Sequence, residues 1–320
     1  MSDRPETDRK SAEGSAQPGL LVVGIGGSAG GITALKQLFS QVRPDSGIAY
    51  VVILHLSPQH ESNLAQLLQV QTTIPVTQVN ETVRVEPDHV YVIPPNKYLM
   101  IEDGNIKVTE PERVRGGGHT SIDLFFRTLA DAYGKSAVGI ILSGTGSDGI
   151  LGLRRIKEEG GFAIAQDPEE AEYDAMPRNA MEAGLIDLVM PTAEIPRRLE
   201  SLRAGLQRLP IPPAEEEEPE PEPNGDVVEV LKFLRQRTGN DFTQYKRPTM
   251  ARRITRRMQV HGLPDFKSYL NFLREHPEEV PVLLRDLLIT VTNFFRDREA
   301  FEALRQEAIP KLFAGKTPND

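Results

Sequence analysis

A serine set among glycines is the first residue with chemistry to offer. Gly26-Gly27-Ser28-Ala29-Gly30 fits the G-x-S-x-G turn, which bends the chain sharply enough to present a serine hydroxyl as a nucleophile. Such a hydroxyl needs a base within hydrogen-bond reach, and histidine is the commonest choice. His55 stands near the end of the apolar run IAYVVILHL at 48–56. Asp148 lies in the glycine-rich stretch Ser143-Gly144-Thr145-Gly146-Ser147-Asp148-Gly149, where a carboxylate could orient and charge-stabilise that histidine. Each residue also has a plain structural reading. Ser28 would serve as a helix N-cap, His55 as a satisfied strand-end histidine, and Asp148 as the N-cap of the helix that follows it.

A second motif overlaps the first. Gly24-Ile25-Gly26-Gly27-Ser28-Ala29 fits the dinucleotide fingerprint G-x-G-x-x-A. That site requires an acidic residue on the second strand, about 20 residues on, to hold the ribose hydroxyls. The second strand ends instead in Leu54-His55-Leu56, with no acid. An oxidoreductase of the dinucleotide type is therefore the weaker reading.

The elements that must carry these residues alternate between strand and helix signals. GLLVVGI (19–25) and IAYVVILHL (48–56) read as buried parallel strands, with a helix at 31–42 between them. IPVTQV (74–79), VYVIPP (90–95) and 98–110 are β-like, and Asp103-Gly104 is a type I′ hairpin signal. A helix at 121–134, a strand at 136–144, a helix at 150–161, strands at 162–166 and 185–190, and a helix at 192–206 complete the pattern. This predicts an α/β domain with a doubly wound, mostly parallel sheet and a small hairpin insertion. Ser28, His55 and Asp148 would then share the crevice beyond the carboxyl ends of three strands.

Residues 214–226, AEEEEPEPEPNGD, cannot build a core. Consecutive glutamates repel, and alternating prolines favour extended polyproline geometry. The chain divides into a disordered tail at 1–18, the α/β domain at 19–208, an acidic Pro-rich linker at 209–226, an all-α domain at 227–313 and an end at 314–320. A formal net charge of −9 and one short basic helix argue against nucleic acid as a partner. Cysteine is absent, which excludes disulfides, zinc–thiolate sites and a cysteine nucleophile. The histidines have no metal-like spacing, so no metal is expected. With no apolar leader and no membrane-length apolar stretch, the expectation is a soluble, cytoplasmic protein with no membrane insertion.

Residues 19–208 resemble the CheB-type protein-glutamate methylesterase domain of bacterial chemotaxis. The matching pieces are GGSAGG (26–31), ILHLSPQHES (53–62), SIDLFF (121–126), GIILSGTGSDG (139–149) and AQDPEEAEYDAMPRNA (165–180). The resemblance implies Ser28 as nucleophile, His55 as general base and Asp148 as orienting acid. Oxyanion stabilisation would come from the loops at Ala29, Thr145 and Gly146. It implies hydrolysis of glutamate γ-methyl esters, and deamidation of glutamines, on methyl-accepting chemotaxis-type receptors, with no cofactor for the esterase. Relatives commonly carry Met where this chain has Thr145, which leaves the backbone N–H in place. A catalytically idle scaffold of the same fold, binding receptors or sensor kinases, is the alternative. Many esterases of this type carry an N-terminal phosphoreceiver domain; with only a short tail before the first strand, gating by phosphorylation in cis is not expected here.

Residues 227–313 resemble the N-terminal helical domain of CheR-type receptor methyltransferases, through TVTNFFRD (290–297) and FTQYKRPTMARRITRRM (242–258). This implies Thr292 and Arg296 as S-adenosylmethionine contacts, usable only with the family's α/β methyltransferase domain, which is expected after about residue 320. Methyltransferase activity is not expected from this chain alone. Arg252, Arg253, Arg256 and Arg257 fall at i, i+4 spacing on one helix and read as a solvated basic face. The resemblance makes them candidates for docking to acidic receptor helices.

Overall fold

The computed structural model describes residues 19–55, 63–110, 120–208, 225–242 and 245–288. The expected tail at 1–18, most of the acidic linker, Leu56, and Thr292 with Arg296 lie outside these residues.

Long apolar runs with β-branched residues make the central strands, which are buried from end to end. They are β1 (Leu21–Gly27) and β2 (Ile48–Leu54), joined through α1 (Gly31–Phe39). The chain then adds α2 (Leu64–Gln69), β3 (Val76–Gln78), β4 (Val83–Arg84), β5 (His89–Val92), β6 (Tyr98–Glu102) and β7 (Asn105–Thr109). It continues through α3 (Ser121–Tyr133), β8 (Ala137–Ile141), α4 (Ile150–Glu158), β9 (Phe162–Gln166), α5 (Ala175–Glu182), β10 (Leu188–Met190) and α6 (Ile195–Arg208). The short elements α2, β4 and α5 were not anticipated, because none has enough length to show a periodicity.

The main sheet has seven strands in the order β10-β9-β8-β1-β2-β5-β3, with every neighbouring pair parallel. The chain winds outward from β1 through β2, then returns to the other side of β1 with β8. The reversal point therefore falls at β1, where ligand crevices form in open parallel sheets. Strand alternation feeds two cores. Leu21, Val23 and Ile25 pack with Leu35, Leu38 and Phe39 of α1 and Ile195, Leu199 and Leu202 of α6. Val22, Val51 and Ile53 pack with Ile122, Phe125 and Phe126 of α3 and Leu153 and Ile156 of α4.

The insertion is a separate three-stranded antiparallel sheet, β4-β7-β6. Asp103 and Gly104 both have positive φ, 51° and 73°, as the type I′ turn requires.

Four helices follow: α7 (Gly225–Thr238), α8 (Arg247–His261), α9 (Phe266–Glu275) and α10 (Glu279–Leu288). They close over their own core, which includes Val230, Leu234, Ile254, Met258, Tyr269 and Leu283. No helix among the described residues is long and apolar enough to cross a membrane.

The arginines of α8 do not form the solvated basic face expected from their spacing. Arg256 and Arg257 are 6% and 1% exposed and point into the junction with the α/β domain. Arg256 donates to the Gly161 carbonyl at 2.7 and 3.0 Å, pairs with Asp187, and meets Asp286 at 2.6 Å. Arg257 binds Glu279 through two hydrogen bonds of 2.7 Å and reaches Asp187 at 3.2 Å. Arg253 donates to the Asp286 carbonyl, while Arg252 is partly exposed. The correction has a simple cause. Asp187, Glu279 and Asp286 are themselves buried, and buried carboxylates recruit cations. Arg256 and Arg257 are thereby withdrawn from any docking to another molecule.

Candidate active site

Three loops leave the carboxyl ends of three neighbouring strands. Gly27 and Leu54 are register partners in β1 and β2, so Ser28 and His55 emerge side by side. The His55 N–H donates back to the Gly27 carbonyl at 3.3 Å. On the other side of β1, Gly26 pairs with Ile141, and β8 runs on into the loop that carries Asp148. The Ser28 N–H donates to the Ser143 carbonyl at 3.0 Å, which ties the serine turn to that loop.

The glycines of the overlapping fingerprint serve packing. A Cβ on Gly24 would come within 2.9 Å of the Phe126 ring, and one on Gly26 within 2.5 Å of Ile122. Both spaces belong to α3. Their absence of side chains lets that helix lie against β1, and no phosphate is needed to account for them.

His55 and Asp148 are joined. Nε2 of the histidine lies 2.9 Å from Oδ2 of the aspartate, with side-chain exposures of 23% and 6%. Asp148 also accepts the backbone N–H of Ile122 at 3.1 Å and of Asp123 at 3.0 Å. The plain structural alternative for Asp148, capping its own following helix, does not hold. It sits over the first turn of α3, because the loop turns its side chain away from α4. There it gains two amide donors and the positive end of a helix dipole.

The Asp148 loop is held from its far side by residues 166–179. Ser143 is buried; its hydroxyl donates to the Ala29 carbonyl at 2.9 Å and accepts the Tyr173 N–H at 2.9 Å. The Ser143 N–H donates to Gln166 Oε1 at 2.7 Å. Gly144 exchanges backbone hydrogen bonds with Tyr173 and Met176, and Asn179 Nδ2 donates to the Gly146 carbonyl at 2.7 Å. Sequence reasoning missed Ser143, Gln166 and Asn179. The segments containing them were in view, but nothing in their spacing gives a hydrogen-bond partner 23 or more positions away.

Thr145 and Gly146 lie exposed on the crevice rim, and Ala29 is partly exposed beside Ser28. The Met-to-Thr difference at Thr145 therefore falls at the surface rather than in the core. The structure brings together Ser28, His55, Asp148 and the turns bearing Ala29, Thr145 and Gly146.

Comparison with known proteins places both parts of the chain in families. Residues 23–199 match the family described as CheB methylesterase, and residues 226–288 match the CheR methyltransferase all-alpha domain. An uncharacterized 104.1 kDa protein of Rhodobacter capsulatus is 34% identical over 280 residues, covering 78% of this chain and 28% of that protein. A Leptospira interrogans protein, provisionally named a protein-glutamate methylesterase/protein-glutamine glutaminase, is 37% identical over 172 residues, covering 53% of this chain and 89% of its own. Among solved structures, the Thermotoga maritima CheB methylesterase catalytic domain superposes with a TM-score of 0.52 at 27% identity, covering 57% of this chain and 97% of that one. The chain spans little more than a quarter of the Rhodobacter protein.

Proposed function

The chain belongs to the CheB methylesterase family, and on that footing we propose that Ser28, His55 and Asp148 hydrolyse glutamate γ-methyl esters on chemotaxis-type receptors, and by the same route deamidate receptor glutamines. One observation carries the reading: the His55–Asp148 hydrogen bond of 2.9 Å at the strand end next to that of Ser28. Nε2 is engaged by Asp148, and in this reading Nδ1 takes the serine proton. Ser28 Oγ attacks the ester carbonyl as Nδ1 accepts its proton, and the imidazolium returns that proton to methoxide as methanol leaves. Water, deprotonated by the same nitrogen, then releases glutamate from the acyl-enzyme.

The tetrahedral oxyanion needs backbone donors aimed where charge develops. The Ser28 N–H is already committed to Ser143. The donors in this reading are the amides of Ala29, Thr145 and Gly146. The chemistry rests on side chains and backbone, with no cofactor assigned to the esterase.

An active-site serine probe such as a fluorophosphonate tests the reading. Covalent labelling of Ser28, with loss of labelling in His55→Ala, is expected together with methanol release from a methylated receptor. Absence of both would refute it.

A further inference from the structure

A helix begins with N–H groups that its own turns cannot satisfy, and the usual remedy is the side chain of its own N-cap residue. Neither α3 nor α4 uses that remedy: Thr120 and Gly149, their N-cap residues, make no side-chain capping bond. Each helix is capped by an aspartate from the other. Asp148, which immediately precedes the α4 cap, accepts the N–H groups of Ile122 and Asp123 in the first turn of α3. Asp123, in that first turn, accepts the Gly152 N–H of α4 at 2.8 Å, and further first-turn amides of α4 contribute. The two carboxylates are exchanged between two facing helix starts.

We propose that Asp123 is a positioning residue for the triad: by pinning the start of α4 to the start of α3, it fixes where the Asp148 carboxylate meets His55. The proposal rests on the reading of Ser28, His55 and Asp148 given above. The argument runs through what holds each partner. Helix α3 is anchored by Ile122, Phe125 and Phe126, all fully buried. Asp148, however, rides on the chain entering α4, so its placement depends on the spacing between the two helix starts. The Asp123–Gly152 bond sets that spacing.

Gly152 is the second observation. A Cβ there would stand 2.4 Å from the Phe126 Cβ and 3.0 Å from the Asp123 carbonyl, so any side chain would wedge the helices apart. Asp123 is itself buried, and burial pushes its carboxyl above the usual range; the Gly152 amide opposes this and the Asp148 charge adds to it. Asp123 touches no reacting atom and acts only through Asp148.

The test uses the full chain. Asp123→Ala removes the acceptor, and Asp123→Asn keeps a carbonyl oxygen for Gly152. Three quantities are read: kcat and KM for methyl ester hydrolysis, the low-field proton resonance of the His55–Asp148 hydrogen bond (identified by its loss in Asp148→Ala), and the melting temperature. Asp123→Ala is expected to lower kcat by about 30- to 100-fold with little change in KM, since small misplacements cost that much. It should also shift or broaden the resonance, and Asp123→Asn should restore most of both. Gly152→Ala, which keeps both carboxylates and adds a methyl group against Phe126, should shift the same resonance.

An Asp123→Ala protein with the wild-type kcat and resonance would overturn the proposal. So would equal losses in the Ala and Asn variants that track a fall in melting temperature, since that is a stability role only. If Asp123→Ala does not fold, an unshifted resonance in Gly152→Ala overturns it. A wild-type chain that hydrolyses no ester and takes no serine probe would refute the esterase reading alone. The resonance would still report on the clasp.

Discussion

The two ends of the main sheet use carboxylates for opposite purposes. At the carboxyl ends of β1, β2 and β8, a histidine and an aspartate meet in a partly wet crevice, with His55 23% and Asp148 6% exposed. At the amino ends of β9 and β10, three cations, Lys157, Arg256 and Arg257, meet three carboxylates, Asp187, Glu279 and Asp286, with exposures from 0 to 7%. The upper site holds one such pair among the described residues. The lower site is closed, balanced in charge and shared between the α/β domain and the helical region. A dry ion network of this kind costs desolvation that its attractions scarcely recover, so it specifies how two bodies seat rather than how firmly. The described helices of that region therefore meet the sheet at the end away from the triad.

The largest break in this comparison comes at the upper end. Ser28→Ala should cut methanol release by about 10⁴-fold or more while the melting temperature holds, because the nucleophile is a partly exposed residue with no packing role. His55→Ala should match it, and the double variant should lose no more than either single one, since the groups act as a unit. Additive losses would mean that the two residues do not share one step.

At the lower end the same kind of substitution should spare chemistry and cost stability. Arg257→Ala strips Glu279 of its buried arginine and Asp187 of one of its three cations, and should destabilise the protein by about 3–5 kcal/mol in urea melts. The kcat of the remaining folded fraction should be unchanged. A drop in kcat that persists in fully folded protein would show that the two ends communicate.

Acid should weaken the lower end. Burial would push Glu279 up, but hydrogen bonds from His261 and Arg257, and the charge of Arg257, outweigh it and hold the carboxyl at about 2 against an ordinary 4.5. For Asp187, burial is likewise outweighed, by Arg256, Lys157 and Arg257, and its carboxyl lies well below the usual range. A depressed carboxylate contributes stability that is present above its unfolded pKa and lost as pH falls toward its folded one. For Glu279 this amounts to about 3 kcal/mol, lost between about pH 4.5 and 2. Melting temperature measured from pH 7 to 3 should fall most steeply below about pH 4.5. The slope should become shallower in Arg257→Ala, where Glu279 keeps only the His261 part of its depression.

How legible each end was in the sequence follows from the same contrast. The upper end was readable because Ser28, His55 and Asp148 each close a long apolar strand run with a glycine or a polar break. Parallel sheets bring such strand ends together. The doubly wound parallel sheet and the hairpin insertion followed from the same runs and from Asp103-Gly104. The cross-capping was not readable, since Asp123 looks like any acidic residue in a helix's first turn. The lower end was misread. The spacing of Arg252, Arg253, Arg256 and Arg257 suits a solvated face, and helical periodicity does not say which side of a helix meets a neighbouring domain. A signal was present: Asp187 in LIDLVM and Asp286 in LLRDLL are single carboxylates inside apolar runs, and such groups, once buried, need cations.

The smallest expected effect gives the sharpest distinction between pairing and burial. Lys157 Nζ lies 2.9 Å from Asp187 and 3.0 Å from Asp286, at 2% side-chain exposure. Lys157→Met alone leaves a cluster with three carboxylates and two cations. Asp286→Leu alone strips Arg256 and Lys157 of a shared partner. Each should cost roughly 3 kcal/mol, because an uncompensated charge stays in a dry site. Lys157→Met combined with Asp286→Leu removes one charge of each sign. Arg256 then keeps Asp187 and the Gly161 carbonyl, and Arg257 keeps Glu279. Apolar side chains of similar length fill the space, so the double variant should fall within about 1 kcal/mol of the parent. That outcome would show that the lower end is held by balanced charge and close packing rather than by any single ion pair. A double variant as unstable as the sum of the singles would instead mean that Lys157 and Asp286 act independently. The cluster would then be a set of separate contacts and not one network.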